Sequence, residues 1–235
     1  MQNLNADTSL GQLVVEEPVL ARVFERLGID YCCGGKRTLA AVCAEKGISI
    51  EVVQEELVQN AKQVSGEEID WSSRSLTELA DHIQQTHHTY LKSELPRLSG
   101  LLEKVSRVHG GNHPEIVLVR DIFVGLHAEM TSHMFKEEQI LFPAIRGLES
   151  GAGAFHCGSV QGPIRQMEAE HESAGSALGQ IRALMKEYAA PDDACASYQA
   201  VLAGLVVLET DLHQHIHKEN NILFPQAIAR EAKGA

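Results

Sequence analysis

The chain has almost none of the patterns that make a β-sheet. Alternating β-branched runs are few, and no Asn-Gly or Asp-Gly pair offers a hairpin turn. No apolar run approaches the length of a membrane span, and the N-terminus lacks the basic-then-apolar order of an export signal. The expectation is a cytoplasmic protein without membrane contact. Positive charge is scarce. Twenty Lys and Arg stand against 32 Asp and Glu, and a net charge of −12 argues against a nucleic-acid partner, whose phosphates it would repel. The five cysteines (Cys32, Cys33, Cys43, Cys157 and Cys195) are odd in number and two are adjacent, which excludes a secreted disulfide framework.

What is present is helix. The chain has 235 residues, 44 % of them apolar, enough for one sizeable core or one core with a small appended domain. Residues 1–64 read as a small helical domain of short amphipathic pieces. Thr8 or Ser9 caps the first and Pro18 opens the second, which Gly28 ends. Thr38 precedes a piece stopped by Gly47, and Ser49 precedes the last. Residues 64–73 are polar and read as a linker. Four longer segments follow in 74–235. The first starts at a capping box, Ser75 with Glu78, and runs to Val108; the second runs from Pro114 to Arg146. A glycine-rich loop spans 147–163, and the last two helices cover 163–189 and 193–230. The fold class is all-α, an antiparallel four-helix bundle behind a small helical domain.

Twelve histidines are the unusual count. Residues 133–143 read "HMFKEEQILFP" and residues 215–225 read "HIHKENNILFP", the same segment written twice 82 positions apart. On the second long helix the core stripe reads Val119, Phe123, Leu126, Met130, His133, Glu137, Ile140, Ala144. On the fourth it reads Val201, Leu205, Leu208, Leu212, His215, Glu219, Ile222. Each repeat interrupts the inward face with a His and, four residues on, a Glu directly above it. Glu138 is turned about 100° away from that face. On the third helix His171 continues the stripe Ala174, Leu178, Ile181, Met185. On the first, His88 continues Leu91, Leu95, Leu98, Leu102. His87 competes, on a stripe with Ile83 and Tyr90, but the repeat register favours His88. His88 to His133 is 45 residues and His171 to His215 is 44, so the bundle reads as a duplicated helical hairpin.

Two carboxylates buried in one layer repel each other, and each is costly to bury unpaired. A metal removes both penalties. Four imidazoles and two carboxylates are too many for one tetrahedral zinc and fit two metals bridged by the Glu side chains. Such mixed nitrogen and oxygen donors favour iron or manganese. The candidate ligands are His88, His133, Glu137, His171, His215 and Glu219. His82, His109, His113, His127, His156, His213 and His217 read as surface, capping or supporting groups.

In "YCCGGK" (31–36), no second cysteine pair marks a zinc site and no phosphate-loop spacing is present. Cys32 and Cys33 precede a helix start at Thr38 with Lys36 and Arg37 nearby, which favours thiolate. Gly34 and Gly35 leave the backbone open to a partner. The pair is a candidate redox or transfer site, against the plainer alternative that both thiols simply pack the small domain.

The duplicated His-x-x-x-Glu in a four-helix bundle resembles the hemerythrin-like domain. With "DYCCGGKRTL" (30–39) ahead of it, nearly the whole chain resembles the Repair of Iron Centers family. That resemblance implies a cytoplasmic stress-response protein with two non-haem irons, oxo- and carboxylate-bridged, held by the same six residues. It implies damaged iron–sulfur proteins as partners, nitric oxide or dioxygen as small ligands, and iron donation as a role, with nitric oxide binding, scavenging or reduction as the alternative and an oxygen-binding or iron-storing module as a third reading. No catalytic side chain is assigned, and whether the protein is an enzyme stays open. Oxygen-carrying hemerythrins have a further His one turn after the third-helix ligand. Here Gly175 stands there, so one metal is short of a nitrogen donor, which suits small-molecule chemistry or iron release better than carriage of dioxygen. Glu170, beside His171, is a carboxylate supporting the ligands or guarding the metal path, or else a solvated helix residue. Pairing of two copies through the N-terminal domain is compatible with the sequence but not marked in it.

Overall fold

The computed structural model describes residues 4–61, 69–151 and 158–234. Among them the secondary structure is helical, apart from one isolated β-bridge between Ser9 and Thr38. The chain divides into two compact units, Met1–Leu79 with His213–Ala235, and Ala80–Leu212. The division by sequence at 64–73 differs from this, because the end of the fourth long helix packs with the N-terminal segment. Residues 64–68 of that linker, His156 and Cys157 lie outside the described residues.

In the first unit four helices form where the caps predict: α1 (Leu10–Glu16), α2 (Leu20–Arg26), α3 (Leu39–Lys46) and α4 (Ile50–Ala61). The Ser9 hydroxyl accepts from Gln12 N and that of Thr38 from Ala41 N. Gly47 ends α3 at φ 66°, a left-handed conformation that a side chain would strain. Their core is Leu10, Leu13, Leu20, Val23, Phe24, Leu39, Val42 and Leu57.

The capping box opens the first bundle helix, with Ser75 N donating to Glu78 Oε2 at 3.0 Å and Glu78 N to Ser75 Oγ at 3.1 Å. That helix is α5 (Leu76–Ile83), a π turn over Gln84–His88, then α6 (Thr89–His109). The second is α7 (Pro114–Lys136), a π turn over Glu137–Leu141, then α8 (Phe142–Ser150). The third is α9 (Gln161–Leu184). The fourth is α10 (Ala196–Lys218), a π turn over Glu219–Leu223, then α11 (Phe224–Gly234). In Ala80–Leu212 the core is the set of stripes read from the sequence: Leu91, Leu95, Leu98 and Leu102; Val119, Phe123, Leu126 and Met130; Ala174, Leu178, Ile181 and Met185; Val201, Leu205, Leu208 and Leu212. Burying each large side chain contributes roughly 1.5–3 kcal/mol. Gly204 lets α10 approach α6 closely, since a Cβ there would lie 2.6 Å from Leu98 Cδ2.

The third helix ends at Leu184, five residues before the expected 189, because Lys186, Glu187 and Tyr188 all take left-handed φ of 49–62°. The turn is held from below. Arg182 grips Glu209 through two bonds, of 3.0 and 2.6 Å, and lies 5.2 Å from the centre of the Tyr188 ring.

The π turns were not expected, and they change the register. Thr89, Phe142 and Phe224 donate five residues back, to the carbonyls of Gln84, Glu137 and Glu219. Each turn holds one extra residue. On the second helix the stripe therefore resumes at Leu141 and not Ile140: Leu141 is buried and Ile140 is 45 % exposed. Pro143 and Pro225 follow at once. Having no N–H, they cannot restore the α-ladder at the exit of the turn.

Candidate metal centre

The π turns sit where the candidate ligands are. In Ala80–Leu212, the side chains of His88, His133, Glu137 and His171 are at most 1 % exposed. Glu137 Oε2 lies 3.3 Å from His88 Nε2 and 3.2 Å from His133 Nε2, so one carboxylate stands between imidazoles from two helices. His171 Nε2 is 3.1 Å from His133 Nε2. Donor atoms of His133, Glu137 and His171 all fall within 4.8 Å of one another. Phe142, the Phe of the repeated segment, stacks on His88 at 5.6 Å with 16° between the planes.

The far side of two rings is also held. His88 Nδ1 lies 2.9 Å from Glu138 Oε1, and His133 Nδ1 lies 3.0 Å from Glu170 Oε2. Each carboxylate is pinned in turn by a lysine, Glu138 by Lys92 at 2.6 and 2.8 Å and Glu170 by Lys136. Burial pushes both carboxyls up. The lysine and imidazole hydrogen bonds, with Gln166 also on Glu170, outweigh it and hold both below the usual carboxylate range. A carboxylate on Nδ1 fixes the ring so that Nε2 faces the layer, the usual support of a metal-binding histidine. A regular 3.6-residue period turns Glu138 away from the layer. The π turn carries it instead against the neighbouring helix, where its side chain is 13 % exposed. Its counterpart in the second repeat is Asn220, and that difference between the copies was the available signal.

The structure separates His87 from His88. His87 is buried but its Nδ1 meets Asp211 Oδ1 at 2.8 Å, while His88 reaches Glu137.

In the unit formed by Met1–Leu79 and His213–Ala235, His215 Nε2 and Glu219 Oε1 are 3.2 Å apart and both side chains are fully buried. The next two residues hold the cysteine loop. Asn221 Nδ2 donates to the Tyr31 carbonyl at 3.2 Å, and Asn220 Nδ2 to that of Cys32 at 3.4 Å. Asn221 also fills the notch left by two glycines: a Cβ on Gly11 would lie 2.2 Å from its Oδ1, and one on Gly35 2.6 Å. Gly35 of "YCCGGK" thus serves close packing inside this unit, and Gly34, half-buried, turns against the Asp30 carbonyl, which a Cβ there would approach to 2.8 Å. His213 Nδ1 pairs with Glu25 at 2.9 Å. His217 is buried beside the Tyr31 ring, and burial, with Lys218 nearby, pushes its pKa down to about 3.

The thiolate expectation fails for Cys32. Its side chain is 3 % exposed, with Sγ 3.9 Å from Cys33 Sγ and 3.3 Å from Asp30 Oδ1. The neighbouring Cys33 thiol, burial and the Asp30 carboxylate together hold the Cys32 thiol well above its ordinary range. Asp30 accepts from the backbone N–H groups of Cys32, Cys33 and Gly34, so it orders the loop while disfavouring negative charge within it. Arg37, expected to favour thiolate, pairs with Glu45.

The donor chemistry suits a metal. Imidazole nitrogens and carboxylate oxygens alone, buried with ring orientation fixed from behind, match the iron or manganese class and not a thiolate site. A bound metal of this class would supply concentrated positive charge and exchangeable coordination positions. Fold and donor set together define a hemerythrin-like cation-binding bundle, and residues 79–227 match the hemerythrin HHE cation binding domain. Residues 6–61 match ScdA_N, a domain of unknown function (DUF542). Relatives include the iron-sulfur cluster repair protein YtfE of Escherichia coli O17:K52:H18 and that of Shigella boydii serotype 4. Each is 40 % identical over 225 residues, covering 96 % of this chain and 98 % of the relative. The chain belongs to this YtfE family. No helix among the described residues is long and apolar enough to cross a membrane.

Proposed function

We propose that the chain binds two non-haem irons per molecule through His88, His133, Glu137, His171, His215 and Glu219, with Glu137 and Glu219 bridging and oxo-type bridging between the ions. Through them it serves the repair of iron–sulfur clusters damaged by nitrosative and oxidative stress in the cytoplasm, as an iron donor to the damaged proteins. The position of Glu137 between His88 and His133 carries the reading. His215 and Glu219 enter because the fourth helix repeats the His-to-Glu interval and continues the stripe of Leu205, Leu208 and Leu212. The name of the relatives supports the repair role.

Metal analysis of the purified full-length protein tests the centre, with two irons per chain expected, and a single iron or a tetrahedral zinc overturns it. Glu137→Ala and Glu219→Ala should each lose the pair. Recovery of aconitase-type activity from a damaged enzyme, dependent on the iron load, tests the role. No recovery with a full iron load overturns it.

Gly175, where oxygen carriers of this fold have a histidine, supports a second reading, nitric oxide binding or reduction. Catalytic release of nitrous oxide identifies a reductase, and uptake of nitric oxide without turnover identifies a scavenger. Cys32 and Cys33, whose Sγ atoms are 3.9 Å apart, are retained as a redox or transfer pair. A Cys32→Ser/Cys33→Ser variant with full iron content and parental repair rates would remove that role.

A further inference from the structure

At the loop end of Ala80–Leu212, 21 residues along the first helix from His88 and so about 30 Å away, stands a second group of metal-type donors. His109 closes α6 and His113 precedes α7, while Asp193 and Cys195 lie just before α10. His113 Nε2 is 2.8 Å from Asp193 Oδ1, and His109 Nε2 is 3.2 Å from Cys195 Sγ. These contacts could be two independent surface pairs. Three further features bring them to one point. Donor atoms of His109, His113 and Asp193 all lie within 4.8 Å of one another. Glu115 Oε1 stands 3.3 Å behind His113 Nδ1, leaving Nε2 to face Asp193, as carboxylates do behind metal-bound histidines. The fully buried Tyr198 ring makes edge contacts with both imidazoles, at 5.4 and 5.8 Å, and sets their planes.

We propose that His109, His113, Asp193 and Cys195 form a zinc site that clips the loop between α6 and α7 to the loop between α9 and α10. Tetrahedral zinc bonds of about 2.0–2.3 Å place donors roughly 3.3–3.7 Å apart, within reach of small rotations of these partly exposed side chains. A thiolate with two imidazoles excludes magnesium and calcium and fits zinc, whereas the central layer holds no sulfur and fits harder ions. Binding displaces the Cys195 thiol proton to solvent and forms a zinc–sulfur bond, with no change of oxidation state. The loops so joined are the corresponding turns of the two hairpins, so the metal would close the end of the bundle away from the central layer.

The test uses the full-length, iron-loaded protein under anaerobic conditions, with Co²⁺ as the coloured stand-in for zinc. One equivalent should produce a sulfur-to-cobalt charge-transfer band in the near ultraviolet, which an imidazole–carboxylate centre cannot give, and added Zn²⁺ should bleach it. Cys195→Ser should abolish the band, His113→Ala should weaken binding at least tenfold, and Cys32→Ser/Cys33→Ser should leave both unchanged. Circular dichroism checks that each variant is folded. Absence of the band, its survival in Cys195→Ser, or its loss in the Cys32/Cys33 variant overturns the proposal.

Discussion

Glu138 stands behind His88, its Oε1 2.9 Å from Nδ1, with Lys92 Nζ donating to both carboxylate oxygens at 2.6 and 2.8 Å. The carboxylate sets which nitrogen of His88 carries the proton and where Nε2 points. Glu138→Gln should therefore lower metal affinity about 10–100-fold without unfolding the chain, as losses of such supporting carboxylates do. Chelator competition measures it. A variant that holds metal as tightly as the parent would show that His88 needs no such support.

Asn221 separates two glycines that look alike in the sequence. Gly11→Ala drives a methyl only into the Asn221 side chain, whereas Gly35→Ala also meets the Tyr31 carbonyl at 2.6 Å. Each should destabilise the fold by about 1–3 kcal/mol. Adding Asn221→Ala should restore most of the loss for Gly11→Ala and little for Gly35→Ala, because a backbone carbonyl cannot step aside. Denaturant unfolding of the four variants and the parent checks the contrast, and equal rescue would refute it.

Ser75→Ala removes one half of the capping box and should cost about 1 kcal/mol. Backbone and side-chain hydrogen bonds from Ser75, helped by Arg74, hold the Glu78 carboxyl below its ordinary range. A carboxylate with a lowered folded-state pKa contributes stability that is present above its unfolded pKa and fades as pH falls through the folded value. The difference between parent and Ser75→Ala should therefore narrow as pH is lowered through the acid range. A gap that stays constant would assign the effect to the cap bond from Glu78 N to Ser75 Oγ, which does not titrate.

Deleting Gln139, an exposed residue of the second π turn, should let that turn close into ordinary α-helix. Helix content and the stability of the metal-free protein should hold or rise, while metal binding falls sharply as Glu137 is re-aimed. A deletion variant that still loads two irons would show that the π turn is incidental.

The long-range stripes were legible because four helices bury one face each and leucine marks that face every three or four residues. Leu91 to Leu102 and Val201 to Leu212 needed no tertiary information. The caps at Ser9, Thr38 and Ser75 were legible for a similar reason, since their hydrogen bonds close within three residues. The duplicated His and Glu stood out because both interrupt an apolar face. The π turns were not legible from periodicity, as the energy of one extra residue is decided by what packs around it. The trace of the second and third is Pro143 and Pro225, each six residues after the repeated Glu. Glu138 and Ile140 were misplaced together, by that one residue. Asn221 carries no local mark of its role, because its partners, Gly11, Tyr31 and Gly35, are about two hundred positions away.

In most helical proteins the places that tolerate a change of length are the loops, and the helices resist it. Here the π turns reverse part of that expectation. Gln84–His88, Glu137–Leu141 and Glu219–Leu223 are each one residue longer than a regular helix requires. A chain that lost that residue from all three would keep its bundle and its loops. Among relatives of this fold, a single-residue gap inside a helix at one of these turns would therefore mark the point where a metal-binding lineage became a merely structural one.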